Sequence, residues 1–288
     1  MPDRLLPPAL VARLGRFRLG TRRRVQGRYA GQHASRRYGA SMDFADYREY
    51  VAGDDPRFVD VHAHARLGKL LVKLYDAEDE AALRVVVDTS GSMGFGSKLA
   101  VARQVAAALV TVAAAGGDRA RVLLAGRDVD AGPWYRGPAA LHHATGRLQA
   151  VEAEGPGALT AAIRRAHGEG PRGPVVLCSD LLVAGWEGVV AALGVRGDAT
   201  LVHILGRTDV EPDARGDLRL ADVETGAEVE VGIAEHSLTA YAAARDMWLD
   251  EVDAACARRG VAVARIVDDQ DVERLLAVTL ADRGLLVR

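Results

Sequence analysis

Leu83-Arg84-Val85-Val86-Val87-Asp88-Thr89-Ser90-Gly91-Ser92-Met93-Gly94 is the stretch from which the fold can be read. A short, almost wholly apolar run ends on a carboxylate and gives way to small polar residues and glycine. The alanine- and valine-rich segment from Lys98 to Ala115 then follows at helical length. An apolar run bounded by a turn is the mark of a strand covered on both faces. The same alternation recurs downstream: RVLLAG, two helical stretches, PVVLCSD, a helix around Trp186 to Leu193, TLVHILG, a helix from Ser237 to about Arg259, VAVARIV, and a last helix from Asp271. Strands alternating with helices predict a doubly wound α/β fold with a mostly parallel sheet flanked by helices. One segment departs from the alternation. LRLADVETGAEVEVGI has period-two polarity around Thr225-Gly226 and reads as an inserted β-hairpin at about residues 217–233.

Upstream, residues 1–40 form a basic arm. Leu10, Val11, Leu14 and Phe17 at near-helical spacing predict a short helix there, before an irregular stretch rich in arginine. The first 37 residues hold ten arginines against one acid, Asp3, although the 288-residue chain has a formal charge of only −2. Residues 41–82 read as a lead-in packed on the main domain, which spans 83–288. Within the lead-in MDFADYREY suggests a helical turn, GDDP a turn, and Leu70 to Tyr75 a strand.

Composition narrows the function classes. Half-apolar content (49%) supports a large core and argues against disorder. Cys178 and Cys256 stand alone, without zinc-finger partners, as in a reducing compartment. The N-terminus makes a poor signal peptide, and the longest apolar run, Val105 to Ala115, is shorter than the roughly 20 residues of a membrane span. The expectation is a cytoplasmic protein with no transmembrane segment.

Open α/β sheets bind ligands beyond the carboxyl ends of their strands. Asp88 lies at such an end, with Ser90 and Ser92 at alternate positions and Gly91 and Gly94 allowing a tight loop. Asp180 ends the strand PVVLCSD, with Ser179 beside it, and faces the same crevice if the two strands are neighbours. All-oxygen ligation suits a hard cation, Mg2+ first, with Mn2+ or Ca2+ as alternatives. The competing structural reading is that Asp88 and Ser90 only cap the next helix.

DTSGSM resembles the D-x-S-x-S signature of von Willebrand factor A domains, whose metal-ion-dependent adhesion site binds magnesium and leaves one position for a partner's carboxylate. More narrowly, residues 27–288 look like the bacterial domain-of-unknown-function 58 family, encoded beside MoxR-type AAA+ ATPases. The resemblance rests on Gly39 to Phe44, Arg48 to Arg57, Ala65-Arg66, Gly117-Asp118-Arg119, and Asp222 to Gly226 before the helix around Tyr241. It implies an A-like domain with metal ligands Asp88, Ser90, Ser92 and Asp180. Two positions depart from the family pattern. Val61 stands where the family has tryptophan, and Gly157 occupies the place of a ligand threonine, with Thr160 three residues later in the next helix. Gly157 offers no side-chain oxygen, so the shell needs water, a backbone carbonyl, Thr160 or a partner to complete it.

The function this implies is a non-enzymatic, Mg2+-dependent protein-interaction adaptor with no catalytic residues. Its partner offers an Asp or Glu and is a MoxR-type AAA+ ATPase, its client, or both, in chaperone-like maturation or assembly. The alternatives are a metal-assisted hydrolase using the same crevice and a scaffold with a vestigial site. A phosphate-binding loop fails on order, because Ser97 precedes Lys98. His62 and His64 share a face only if their stretch is extended; they, His142, His143 and His203 read as surface or packing residues. Arg22, Arg23, Arg24, Arg36 and Arg37 lack the aromatic interleaving of a nucleic-acid surface, and the acidic clusters at Asp246 to Asp253 and Asp268 to Glu273 read as solvated helix faces or starts.

Overall fold

The computed structural model describes residues 5–20, 43–54, 56–76, 82–170, 173–223 and 226–287. The arginines at 22, 23, 24, 36 and 37 therefore lie outside the described residues. The chain forms two compact units, one of Met1–Arg22 with Ala81–Arg288, the other of Arg23–Glu80.

The larger unit is built on a six-stranded sheet: β1 (Ala82–Asp88), β2 (Arg119–Ala125), β3 (Val129–Arg136), β4 (Val175–Ser179), β5 (Ala199–Leu205) and β6 (Ala262–Val267). Their order across the sheet is β6-β5-β4-β1-β2-β3. All neighbours are parallel except β2 and β3. Every residue of β1, β4 and β5 is buried, as strands covered on both faces require. The fold is thus the doubly wound α/β arrangement that the apolar runs imply.

Helices α1 (Pro8–Leu14), α2 (Lys98–Gly116), α3 (Gly137–Gln149), α4 (Leu159–Gly168), α5 (Trp186–Leu193) and α6 (Glu235–Arg258) cover the sheet. Val85 and Val87 of β1 face one core with Leu10, Leu14, Val105, Leu109 and Leu148, from α1, α2 and α3. Val86, between them, faces the other core with Ile163, Val190 and Val252, from α4, α5 and α6. The short helix read from Leu10 and Leu14 is therefore α1, docked against α2.

Helix α2 owes its length to good helix formers and ends at Gly117, which takes the left-handed conformation (φ 82°). At 19 residues it is the one described helix long and apolar enough to cross a membrane. The run Val105 to Ala115 understates it. Of its apolar window 67% is buried, and core packing accounts for that composition.

Two strands escaped the periodicity reading. Val129–Arg136 pairs antiparallel with β2 at the sheet edge, where Pro133 is tolerated and the register shifts opposite Arg121 and Leu123. In the smaller unit, Asp43–Glu49 is not a helical turn but a strand paired with Leu71–Asp76. Its ladder partner lies beyond the Gly-Asp-Asp turn, so pairing overrode local preference. Val61–Leu67 between them is a helix capped by Asp60, whose carboxylate accepts from His62 N and Ala63 N. Residues two apart on a helix point to different sides, so exposed His62 and His64 make no shared face. Gly216–Ala221 and Glu228–Ile233 form the separate antiparallel hairpin.

Candidate metal centre

From β1 the chain crosses to β2 on one side, while β4 lies on the other, so the sheet's switch point falls between β1 and β4. Val87 stands opposite Cys178, which carries Asp88 and Ser179-Asp180 out of the sheet side by side. Four side chains identified in the sequence meet there. Ser90 N donates to Asp88 Oδ1 at 2.9 Å, Ser90 Oγ lies 3.1 Å from Ser92 Oγ, and Ser92 Oγ donates to Asp180 Oδ1 at 3.3 Å. Ser179 Oγ donates to Asp88 Oδ2 at 2.5 Å, turning the carboxylate toward the loop.

The two oxygen–oxygen separations among these ligand candidates, 3.1 Å from Ser90 to Ser92 and 3.3 Å from Ser92 to Asp180, suit a hard cation. Adjacent oxygens around octahedral magnesium, each about 2.1 Å from the ion, lie about 3.0 Å apart. Among the described residues no three His, Cys, Asp or Glu side chains gather as a metal site. The oxygens here come from two carboxylates and two serines. That donor set fits Mg2+ and is a poor one for zinc or copper.

Gly157 reaches the same place. The loop carrying it is fastened to the loop after β1 by Gly91 N donating to Gly155 O (2.8 Å) and Glu154 N to Thr89 O (3.0 Å). A Cβ on Gly157 would lie 3.2 Å from Asp88 Oδ1 and 3.2 Å from Ser90 Cβ. A threonine at 157 would thus enter the site, and glycine leaves that corner open. Thr160 is the second residue of α4.

Three residues at the site carried no legible sign in the sequence. Lys98, which the phosphate-loop reading only set aside, is 1% exposed; its Nζ donates to Asp180 Oδ2 at 2.8 Å and Asp209 Oδ2 at 3.0 Å. Burial alone would lower the lysine, but Asp180 and Asp209 outweigh it and hold the ammonium charged. His203 Nε2 lies 3.0 Å from Asp180 O, and Arg265 Nε donates to His203 Nδ1. Burial, then the Arg265 charge, lower this imidazole to about 4, so it is neutral and donates through Nε2. Next to Asp180, Leu181 has φ 55°, a left-handed conformation rare for a branched side chain. Leu181 N donates to Ser179 Oγ and Leu182 N to Asp180 Oδ1, which hold that turn. Asp268, from an acidic cluster read as solvated, accepts from Ser97 N and Arg207 N and ties the start of α2 to the loop after β5.

Asp88 is the electrostatic focus. Burial first, and the Asp180 charge second, raise its carboxyl to about 6 despite the hydrogen bonds from Ser179 and Ser90. A bound cation would favour the ionised form.

A family model matches residues 46–250. The chain belongs to the family described as Protein of unknown function DUF58. This DUF58 chain is 29% identical over 242 residues to the Uncharacterized protein Rv1480 of Mycobacterium tuberculosis (strain ATCC 25618 / H37Rv), covering 78% of this chain and 74% of that one. Uncharacterized protein Mb1516 of Mycobacterium bovis gives the same figures. Among solved structures it is similar to the conserved hypothetical protein BatB from Bacteroides thetaiotaomicron, at 12% identity and a TM-score of 0.44, covering 70% of this chain and 98% of the other. It is also similar to a von Willebrand factor type A structure from Catenulispora acidiphila, at 14% identity and a TM-score of 0.40, covering 75% and 43%.

Proposed function

We propose that this chain is a non-enzymatic, cytoplasmic adaptor that holds Mg2+ through Asp88, Ser90, Ser92 and Asp180 and binds a protein partner through the ion. The reading rests on one observation, the convergence of four oxygen-bearing side chains at the β1/β4 switch point, with the Ser90–Ser92 and Ser92–Asp180 oxygens at spacings suited to an octahedral ion. With Gly157 in place of a fifth ligand the ion keeps at least one open position. A partner's Asp or Glu, taking that position, supplies charge as well as an oxygen. The histidine that contacts Asp180, His203, is committed to Asp180 O and Arg265 and is not free to act as a general base, which favours binding over hydrolysis.

The resemblance to MoxR-associated proteins directs the partner search to a MoxR-type AAA+ ATPase or its client, in chaperone-like maturation or assembly. The test is co-sedimentation of the full chain with a purified MoxR-type ATPase. Complex formation is expected in Mg2+ and not in chelator, and is expected to weaken in Asp180→Ala. A complex indifferent to chelator would remove the ion from the mechanism.

A further inference from the structure

The hairpin alternates strictly. Leu218, Leu220, Val229 and Val231 share one face, with Leu220 paired to Val229 and Leu218 to Val231. Asp217, Arg219, Glu228 and Glu230 take the other. A hairpin of this pattern ordinarily lays its apolar face on a core. Here Leu220 and Val229, next to the turn, remain 45% and 55% exposed. They line a cavity of about 540 Å3 together with Leu182, Val223 and the metal-ligand candidate Ser92. Leu182, two residues beyond Asp180, is itself 43% exposed.

The hairpin end is seated on the loop after β1. A Cβ on Gly91 would come within 3.2 Å of Val223 Cγ1 and 3.4 Å of Val223 O, so the absence of a side chain there eases the close approach of the two. The result is a cleft that brings Ser92 together with aliphatic side chains. Its volume lies within the range of small-molecule ligand pockets, about 300–1,000 Å3. Charge marks its rim. Two acids, Asp222 and Glu228, stand among its lining residues, and no basic residue does.

We infer that this cleft is the docking groove for an extended segment of a protein partner in which one Asp or Glu is flanked by aliphatic residues and, beyond them, by Lys or Arg. The carboxylate meets the ion beside Ser92, the aliphatic neighbours cover Leu182, Leu220 and Val229, and the basic flanks face Asp222 and Glu228. This rests on the metal-dependent reading above and adds the partner's sequence chemistry. The acidic rim opposes a second carboxylate, so an acidic run is a poor occupant.

The experiment pans a phage-displayed random peptide library on the full chain in Mg2+ and synthesises the enriched sequences with a fluorescent label. Enrichment of a single acid between aliphatic residues with basic flanks is expected. Anisotropy binding of these peptides should weaken by about tenfold or more in the uncharged double variant Leu220→Ser, Val229→Ser, through the loss of two aliphatic contacts with the peptide. Calorimetric Mg2+ affinity should stay the same in that variant, because neither residue touches the ion. Mg2+ binding with no enriched peptide, with acidic runs enriched, or with peptide affinity unchanged by the double variant would overturn the groove and leave the adaptor reading standing. Loss of measurable Mg2+ binding in the unaltered chain would instead overturn the reading beneath it.

Discussion

Gly157 is the most informative single position to alter, because it faces Asp88 and Ser90 of the proposed ion site and offers no side-chain oxygen. Its φ is not positive, so a side chain is compatible with the backbone. A Cβ there would lie 3.2 Å from Asp88 Oδ1, 3.2 Å from Ser90 Cβ and 3.5 Å from Ala125 O, tight contacts that neighbours must relieve. Relief of that kind costs roughly 1 kcal/mol. A serine hydroxyl that replaces a bound water on the ion gains up to about 2 kcal/mol from the water's release. The net gain for Gly157→Ser is therefore up to about 1 kcal/mol, or up to about fivefold tighter Mg2+ binding. Gly157→Ala carries the same crowding without the oxygen and should bind Mg2+ no more tightly than the unaltered chain. Isothermal titration calorimetry of the three proteins decides it. Serine binding no tighter than alanine would show that residue 157 does not face the ion and would refute the geometry.

Other expectations follow from the same contacts. Lys98→Met leaves Asp180, 1% exposed, without its ammonium partner, and should cost about 3–5 kcal/mol in urea denaturation; a loss below about 1 kcal/mol would mean that the pair is solvated. Thr160→Ala should leave Mg2+ affinity unchanged, since the open corner belongs to Gly157; a marked loss by calorimetry would make Thr160 a ligand. His167 is buried with Nε2 3.2 Å from Leu193 O, and burial holds its imidazole below the ordinary histidine range of 6.5. Its unfolded form therefore binds a proton first, so the neutral-histidine contribution to stability is present above pH about 6.5 and lost as pH falls below it. Denaturation midpoints of the unaltered chain and His167→Gln, taken between neutral and mildly acidic pH, should converge on acidification, and parallel curves would contradict the assignment.

The parts of the fold legible in the sequence were those in which burial alone determines the pattern. Strands such as Val85–Val87 and Val175–Cys178 are apolar on both faces, so their runs are continuous and their ends fall on the polar residues of the crevice. Asp88 and Asp180 could be placed at strand ends, but their adjacency required the strand order, which periodicity does not contain. The same holds for Lys98. Its partners lie 82 and 111 residues away, and a lone lysine at a helix start carries no local mark of burial. His203 looked like packing and does pack, edge-on to Trp248, yet it also bonds the carbonyl of Asp180. Val129–Arg136 was hidden by Gly132-Pro133, which an edge strand with a register shift accommodates.

The central claim is that Asp88, Ser90, Ser92 and Asp180 hold a divalent cation, and Mn2+ titration of the full chain read by electron paramagnetic resonance of the free ion tests it most directly. One bound Mn2+ per chain, displaced by Mg2+ and lost in an Asp88→Ala variant whose circular dichroism matches the unaltered protein, is the predicted result. Equal Mn2+ uptake by both proteins would contradict it.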